Sequence, residues 1–107
     1  MSNSEKQNIF KPINDNPIVL DFSSCNYLGE IHLVLKETFG FPEYYGENWD
    51  ALYDCLDDRF CEEREFIIEI HGFTKIENEL REYCSTMLEI FEDLQKEHKN
   101  ITLKLIS

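Results

Sequence analysis

Apolar positions along this chain alternate between two spacings. Ile18-Val-Leu-Asp-Phe22, Glu65-Phe-Ile-Ile-Glu-Ile-His71 and Ile101-Thr-Leu-Lys-Leu-Ile106 are short β-rich runs set off by Asn16-Pro17, Gly72 and Asn100, and each predicts a strand. Between them the period lengthens to that of a helix. Ile31, Val34, Leu35 and Phe39 predict a first helix, with Ser23, Ser24 and Asn26 as candidate caps and Gly40 as its stop. Phe41-Pro42 breaks the pattern, and Tyr44-Tyr45-Gly46 predicts a bend before a second helix capped by Asn48. Thr74-Lys-Ile-Glu77 has capping-box spacing and opens a long stripe, Leu80, Tyr83, Cys84, Met87, Leu88, Phe91 and Leu94, which Asn100 closes. A break early in this span, leaving a short helix before the long one, is left open by the pattern. The order β, α, α, β, α, β predicts an α/β fold with a small parallel sheet, because parallel neighbours require long crossovers. Residues 1–16 are mostly polar and read as an N-terminal extension ahead of one domain over 17–107, with a short edge strand near Asn8-Ile9-Phe10 as an open alternative.

The second helix breaks local rules on one side only. Counted from the Asn48 cap, Asp50, Tyr53, Asp54 and Asp57 share a face, while Trp49, Leu52, Cys55 and Leu56 share the other. The macrodipole favours Asp50 near the start, but Asp54 is mid-helix and Asp57 and Asp58 fall at the negative end. Asp50 and Asp54 repel at i, i+4, as do Asp54 and Asp58, by a few tenths of a kcal/mol per pair. Folding gains nothing from this face, so it reads as a surface kept for a positively charged partner.

Charge over the whole chain points the same way. The net charge is −12, and residues 43–63 hold eight acids against the single base Arg59. That balance excludes nucleic-acid backbones and anionic membrane surfaces as partners. No apolar run is long enough to span a bilayer, and Met1 to Asn8 lacks the layout of a secretory signal, so a cytoplasmic protein is expected. Cys25, Cys55, Cys61 and Cys84 have no C-x-x-C spacing and are expected as free thiols, with a disulfide left open under oxidation. His32, His71 and His98 supply no metal-ligand spacing, and the four glycines form no phosphate loop. No cofactor, no metal and no enzymatic activity are therefore expected, and the free chain is expected to be a monomer.

Aromatic residues beside these acids add contact groups. Tyr44 and Tyr53 are candidates for the partner side, whereas Tyr45 and Trp49, the latter on the apolar side with Leu52 and Leu56, suit packing better.

Pro42-Glu-Tyr-Tyr-Gly-Glu-Asn48, followed by Asp50-Ala-Leu52 and Asp54-Cys-Leu56, resembles the signature of the barstar family, intracellular inhibitors of the secreted ribonuclease barnase. Weaker similarity runs through His32, Leu35-Lys36, Phe66 to Ile70, Phe91 and Ile101-Thr102, so the resemblance makes residues 17–107 a barstar-like domain. It implies a three-stranded parallel sheet packed against helices, and inhibition by a helix and preceding loop that plug the active site of a basic, secreted ribonuclease. On matched positions, Asp54 would replace a substrate phosphate, Asp50 would be a second acidic contact, Tyr44 an aromatic loop contact, and Gly46 and Asn48 the loop backbone. Asp57 would extend the face and Asp93, aligned through Phe91, would add an acid from the long helix. Tyr53 stands where the family has a tryptophan and Trp49 replaces a leucine, so the resemblance keeps both as partner contacts on an altered contact surface; of two family cysteines one matches Cys55 while the other position is Lys99. The resemblance thus implies an immunity-type ribonuclease inhibitor. A barstar-like acidic module for a different basic protein is the alternative.

Overall fold

The computed structural model describes residues 16–106. Three strands and three α-helices follow in the expected order: β1 (Ile18–Asp21), α1 (Leu28–Phe39), α2 (Trp49–Arg59), β2 (Phe66–His71), α3 (Asn78–Glu97) and β3 (Ile101–Ile106). The sheet order is β1-β2-β3, and both pairings are parallel. It is a small α/β, barstar-like fold. Residues Asn8 to Phe10, the open alternative for an edge strand, lie outside the described residues.

Register sets which face is the core. Ile18 pairs with Ile68 and Leu20 with Ile70, while Phe66 pairs with Ile101 and Ile68 with Leu103. Side chains alternate along each strand, so these residues share one face, and there Ile18, Leu20, Phe66, Ile68, Ile70 and Ile101 are buried. The other face carries Val19, Asp21, Thr102 and Lys104, all exposed. Onto the buried face pack Ile31, Leu35 and Phe39 of α1, Leu52, Cys55 and Leu56 of α2, and Cys84, Met87, Ile90, Phe91 and Leu94 of α3. Each aliphatic or aromatic side chain buried this way contributes about 1.5–3 kcal/mol.

Helix ends differ from the sequence reading in instructive ways. Ser23, Ser24 and Asn26 do not cap α1. Its N-cap is Tyr27, and the Glu30 carboxylate reaches back to accept from the backbone N–H of Asn26 at 2.6 Å and of Tyr27 at 3.3 Å. Gly40 does end α1, at φ 64°, in the left-handed conformation glycine adopts without penalty. Thr74 falls in a single 3-10 turn (Phe73–Lys75), and Glu77 caps α3 instead, so the early break is real. Across the break, Arg81 donates to the Thr74 carbonyl at 2.9 Å. His98, not Asn100, closes α3. The amide nitrogen of Asn100 instead faces the carbonyls of Phe60, Glu62 and Arg64 at 3.3, 3.1 and 2.8 Å, tying the exit of α2 to the entry of β3.

The exit of α2 is also tied to the exit of α1. Arg59 is buried and donates from Nε and Nη2 to the Phe39 carbonyl at 3.1 and 2.8 Å, and from Nη1 to Glu62 at 2.8 Å. A carbonyl that the helix end leaves over is thereby satisfied by a charged donor.

At Gly72 the backbone after β2 passes so close to Ser23 that a Cβ would lie 2.6 Å from the Ser23 nitrogen, and φ is 75°. Gly72→Ala is expected to lower the unfolding free energy by at least about 2 kcal/mol, from the left-handed conformation plus the overlap. A urea midpoint equal to that of the parent chain would contradict this close approach.

Candidate functional site

Asn48 sets the direction of α2. Its Oδ1 accepts from the Ala51 N–H at 2.8 Å, and its Nδ2 donates to the Gly46 carbonyl at 3.2 Å, so one side chain caps the helix and fixes the loop before it. Glu47, between them, has φ 52°, a left-handed conformation that costs a non-glycine residue about 1 kcal/mol.

Behind this loop a buried polar pair holds the geometry. The Tyr45 hydroxyl and His32 Nδ1 share a hydrogen bond of 2.6 Å, and both side chains are buried. His32 Nε2 has no partner among the described residues. Burial pushes the His32 pKa below its ordinary value, with Glu47 pulling weakly the other way. Burial, then Cys55 and Glu47, push the Tyr45 phenol well above the tyrosine range. The pair is therefore neutral near pH 7. The Trp49 ring lies 4.9 Å from the His32 ring, so the first residue of α2 rests on the same support.

The acidic face is as the helical spacing requires at two positions and different at two. Asp50 and Asp54 are exposed, and no basic group among the described residues lies within ion-pair distance of either. Asp57 is half-buried, and its Oδ1 lies 2.7 Å from His98 Nε2 at the end of α3. Tyr53 is half-buried too. Desolvation first, and then the carboxylates of Asp57, Glu97, Asp93 and Asp54, raise its phenol pKa. Those neighbours place Asp93 and Glu97 of α3 around Tyr53. Asp93 itself is exposed, with Lys96 at 3.8 Å.

A seam between α2 and α3 results. Trp49 meets Tyr83, the charges of Asp93 and Glu97 act on Tyr53, and Asp57 meets His98. Tyr44 lies on the other flank of α2, 55% exposed, its phenol pKa raised by partial desolvation and by Cys55 and Asp58. Sequence spacing had set Tyr83 in the core stripe, yet it is 56% exposed, and Ile90 fills the core instead. Glu97 was also missed. Its position one turn after Asp93 on an exposed face was the available signal. All four cysteines are free, and Cys61 is the exposed one.

Among the described residues no three His, Cys, Asp or Glu side chains are grouped to hold a metal, and no helix is long and apolar enough to cross a membrane. The model of the Barstar (barnase inhibitor) family matches residues 16–106. The chain belongs to the barstar family. A protein of Bacillus subtilis (strain 168) that carries the name "Putative ribonuclease inhibitor YrdF" is 30% identical over 83 residues, covering 78% of this chain and 89% of that one. The signature Pro42 to Leu56 falls within the barstar match, on the loop and helix that display Tyr44, Gly46, Asn48, Asp50 and Asp54. Barstar-family membership makes a barnase-inhibitor-like role the coarse reading of this surface.

The support under the loop has a measurable signature. In histidine NMR titrations His32 is expected to titrate below its ordinary value of 6.5, because burial disfavours the charged ring. The unfolded chain takes up this proton first, so the His32 contribution to stability is complete above about pH 6.5 and is lost as pH falls toward the folded value. A ring titrating at or above 6.5 would contradict the buried, neutral pair.

Proposed function

We propose that this chain inhibits a basic, secreted, barnase-type ribonuclease by setting α2 and the Tyr44–Asn48 loop into its active site. Asp54 occupies the place of a substrate phosphate, and Asp50 is the second anionic contact. Both offer carboxylate oxygens to the Arg, Lys and His donors such a site uses for phosphate. Tyr44 is the aromatic loop contact, Gly46 and Asn48 present backbone, and Trp49 and Tyr53 line the edge facing α3. Asp57 and Asp93 border the face, the first holding His98 and the second open to solvent. The observation that carries this reading is that Asp50 and Asp54 stand exposed and unpaired, among the described residues, on a helix whose opposite side is rooted in the core. In this role the protein works as a free monomer in the cytoplasm of the cell that makes the enzyme, as an immunity protein.

The departures at Trp49 and Tyr53 favour a second reading, an acidic module of the same fold that binds another basic protein. Titrating the chain against barnase and other small basic ribonucleases, with RNA cleavage as readout, separates the two. Inhibition is expected for at least one enzyme, and none for any would favour the second reading.

Against an inhibited enzyme, Asp54→Ala is expected to weaken binding by at least about 2 kcal/mol, roughly thirtyfold, the scale of interface hot spots in general. Glu37→Ala, an exposed acid on α1, should change it by less than about threefold. Equal losses from the two would contradict the assignment. Association should also slow as salt rises, since the Debye length shrinks from about 10 Å at 0.1 M to about 3 Å at 1 M. An on-rate indifferent to salt would remove steering from the account.

A further inference from the structure

Tyr83 is a large aromatic side chain on the outside of α3 with no role in the core, and it lies against Trp49, the first residue of α2. Their ring centroids are 5.9 Å apart at an interplanar angle of 44°, and Tyr83 is 56% exposed. The pair does not float. Trp49 rests on His32 at 4.9 Å, and His32 is fixed by the Tyr45 hydroxyl at 2.6 Å, so four rings run from the core to the surface. A surface aromatic held this way loses little conformational freedom on binding.

Its surroundings are anionic. The exposed Glu79 lies one turn before Tyr83, and Glu47, two residues before Trp49, is near enough to act on the charge of His32. The nearest basic residue along α3, Arg81, donates to the Thr74 carbonyl at 2.9 Å and to Asn78 Oδ1 at 2.6 Å. Among the described residues, a cation lies over a ring elsewhere at Arg64, 4.7 Å from the Phe66 centroid. Ring faces are the negative part of an aromatic quadrupole, and here they belong to a chain of net charge −12, with Glu79 one turn away on the same helix. The occupant such a platform fits is a cation with a flat face, which is a guanidinium group rather than an ammonium.

We propose that the Trp49–Tyr83 pair is a second contact site, continuous with the acidic seam, that stacks an arginine side chain of the ribonuclease. This rests on the inhibitor reading given above. Tyr83 then acts as a specificity residue: ribonucleases with an arginine facing this end of the seam are held, and those without it are bound through the Asp54 end alone.

The test uses the full chain and a ribonuclease that it inhibits. Tyr83→Leu keeps apolar bulk but removes the ring, and is expected to weaken binding roughly five- to thirtyfold, while Tyr83→Phe stays within about twofold of the parent. Thermal unfolding of both variants should match the parent, since the side chain is exposed. Trp49 is the one tryptophan of the chain, so 5-fluorotryptophan labelling gives a single fluorine resonance, expected to move when the enzyme saturates the chain. Parent-like binding by Tyr83→Leu, equal losses in Tyr83→Leu and Tyr83→Phe, or an unmoved fluorine resonance would each overturn the proposal while leaving inhibition intact. Failure of the parent chain to inhibit any ribonuclease would remove the inhibitor reading, and this site with it.

Discussion

Leu52, Cys55 and Leu56 hold α2 in the core against the repulsion among its own carboxylates, and every functional feature of the surface follows from that anchoring. Like charges one turn apart cost a few tenths of a kcal/mol each, whereas each buried leucine returns about 1.5–3 kcal/mol. The core therefore wins by a wide margin, and α2 can display Asp50 and Asp54 without an ion-pair partner among the described residues. An intramolecular ion pair would have stabilised the free protein slightly, but a partner would then have had to break it. On the proposed function, leaving these acids open places their electrostatic free energy in the complex rather than in the fold.

The same division of labour holds for the loop ahead of α2. Asn48 serves as cap and as clamp on Gly46, Glu47 accepts a left-handed backbone, and Tyr45 and His32 form a neutral buried support below. Mild backbone strain such as that at Glu47 persists only where its surroundings over-determine it. Here they do, since Arg59 and Asn100 also secure the far end of α2 to α1 and to the entry of β3. A helix pinned at both ends presents its acids in a fixed arrangement, which reduces the ordering entropy that binding would otherwise cost.

Strand and helix periods made the fold legible, because period and burial are coupled at most core positions of the strands and helices, as at Ile18, Leu20, Ile31, Leu35, Cys84 and Met87. The matched signature from Pro42 to Leu56 made the family legible as well. What escaped was determined by tertiary contact. Glu77 rather than Thr74 starts α3 because the chain first makes a 3-10 turn after Gly72, whose close approach to Ser23 no local pattern announces. Tyr83 fits the apolar stripe by spacing, yet it lies 56% exposed against Trp49, while Ile90, seven residues on and on the same helix face, is buried. Asp57 shares its helix face with Asp54, and only the position of His98, forty-one residues on, reveals that the two carboxylates are in different environments.

The crystal structure of this chain bound to a ribonuclease it inhibits tests the central claim most directly. The account predicts α2 and the Tyr44–Asn48 loop seated in the enzyme's active site, with the Asp54 carboxylate hydrogen-bonded to its phosphate-binding basic groups. A complex docked through the sheet face that carries Thr102 and Lys104, with Asp54 left in solvent, would contradict it.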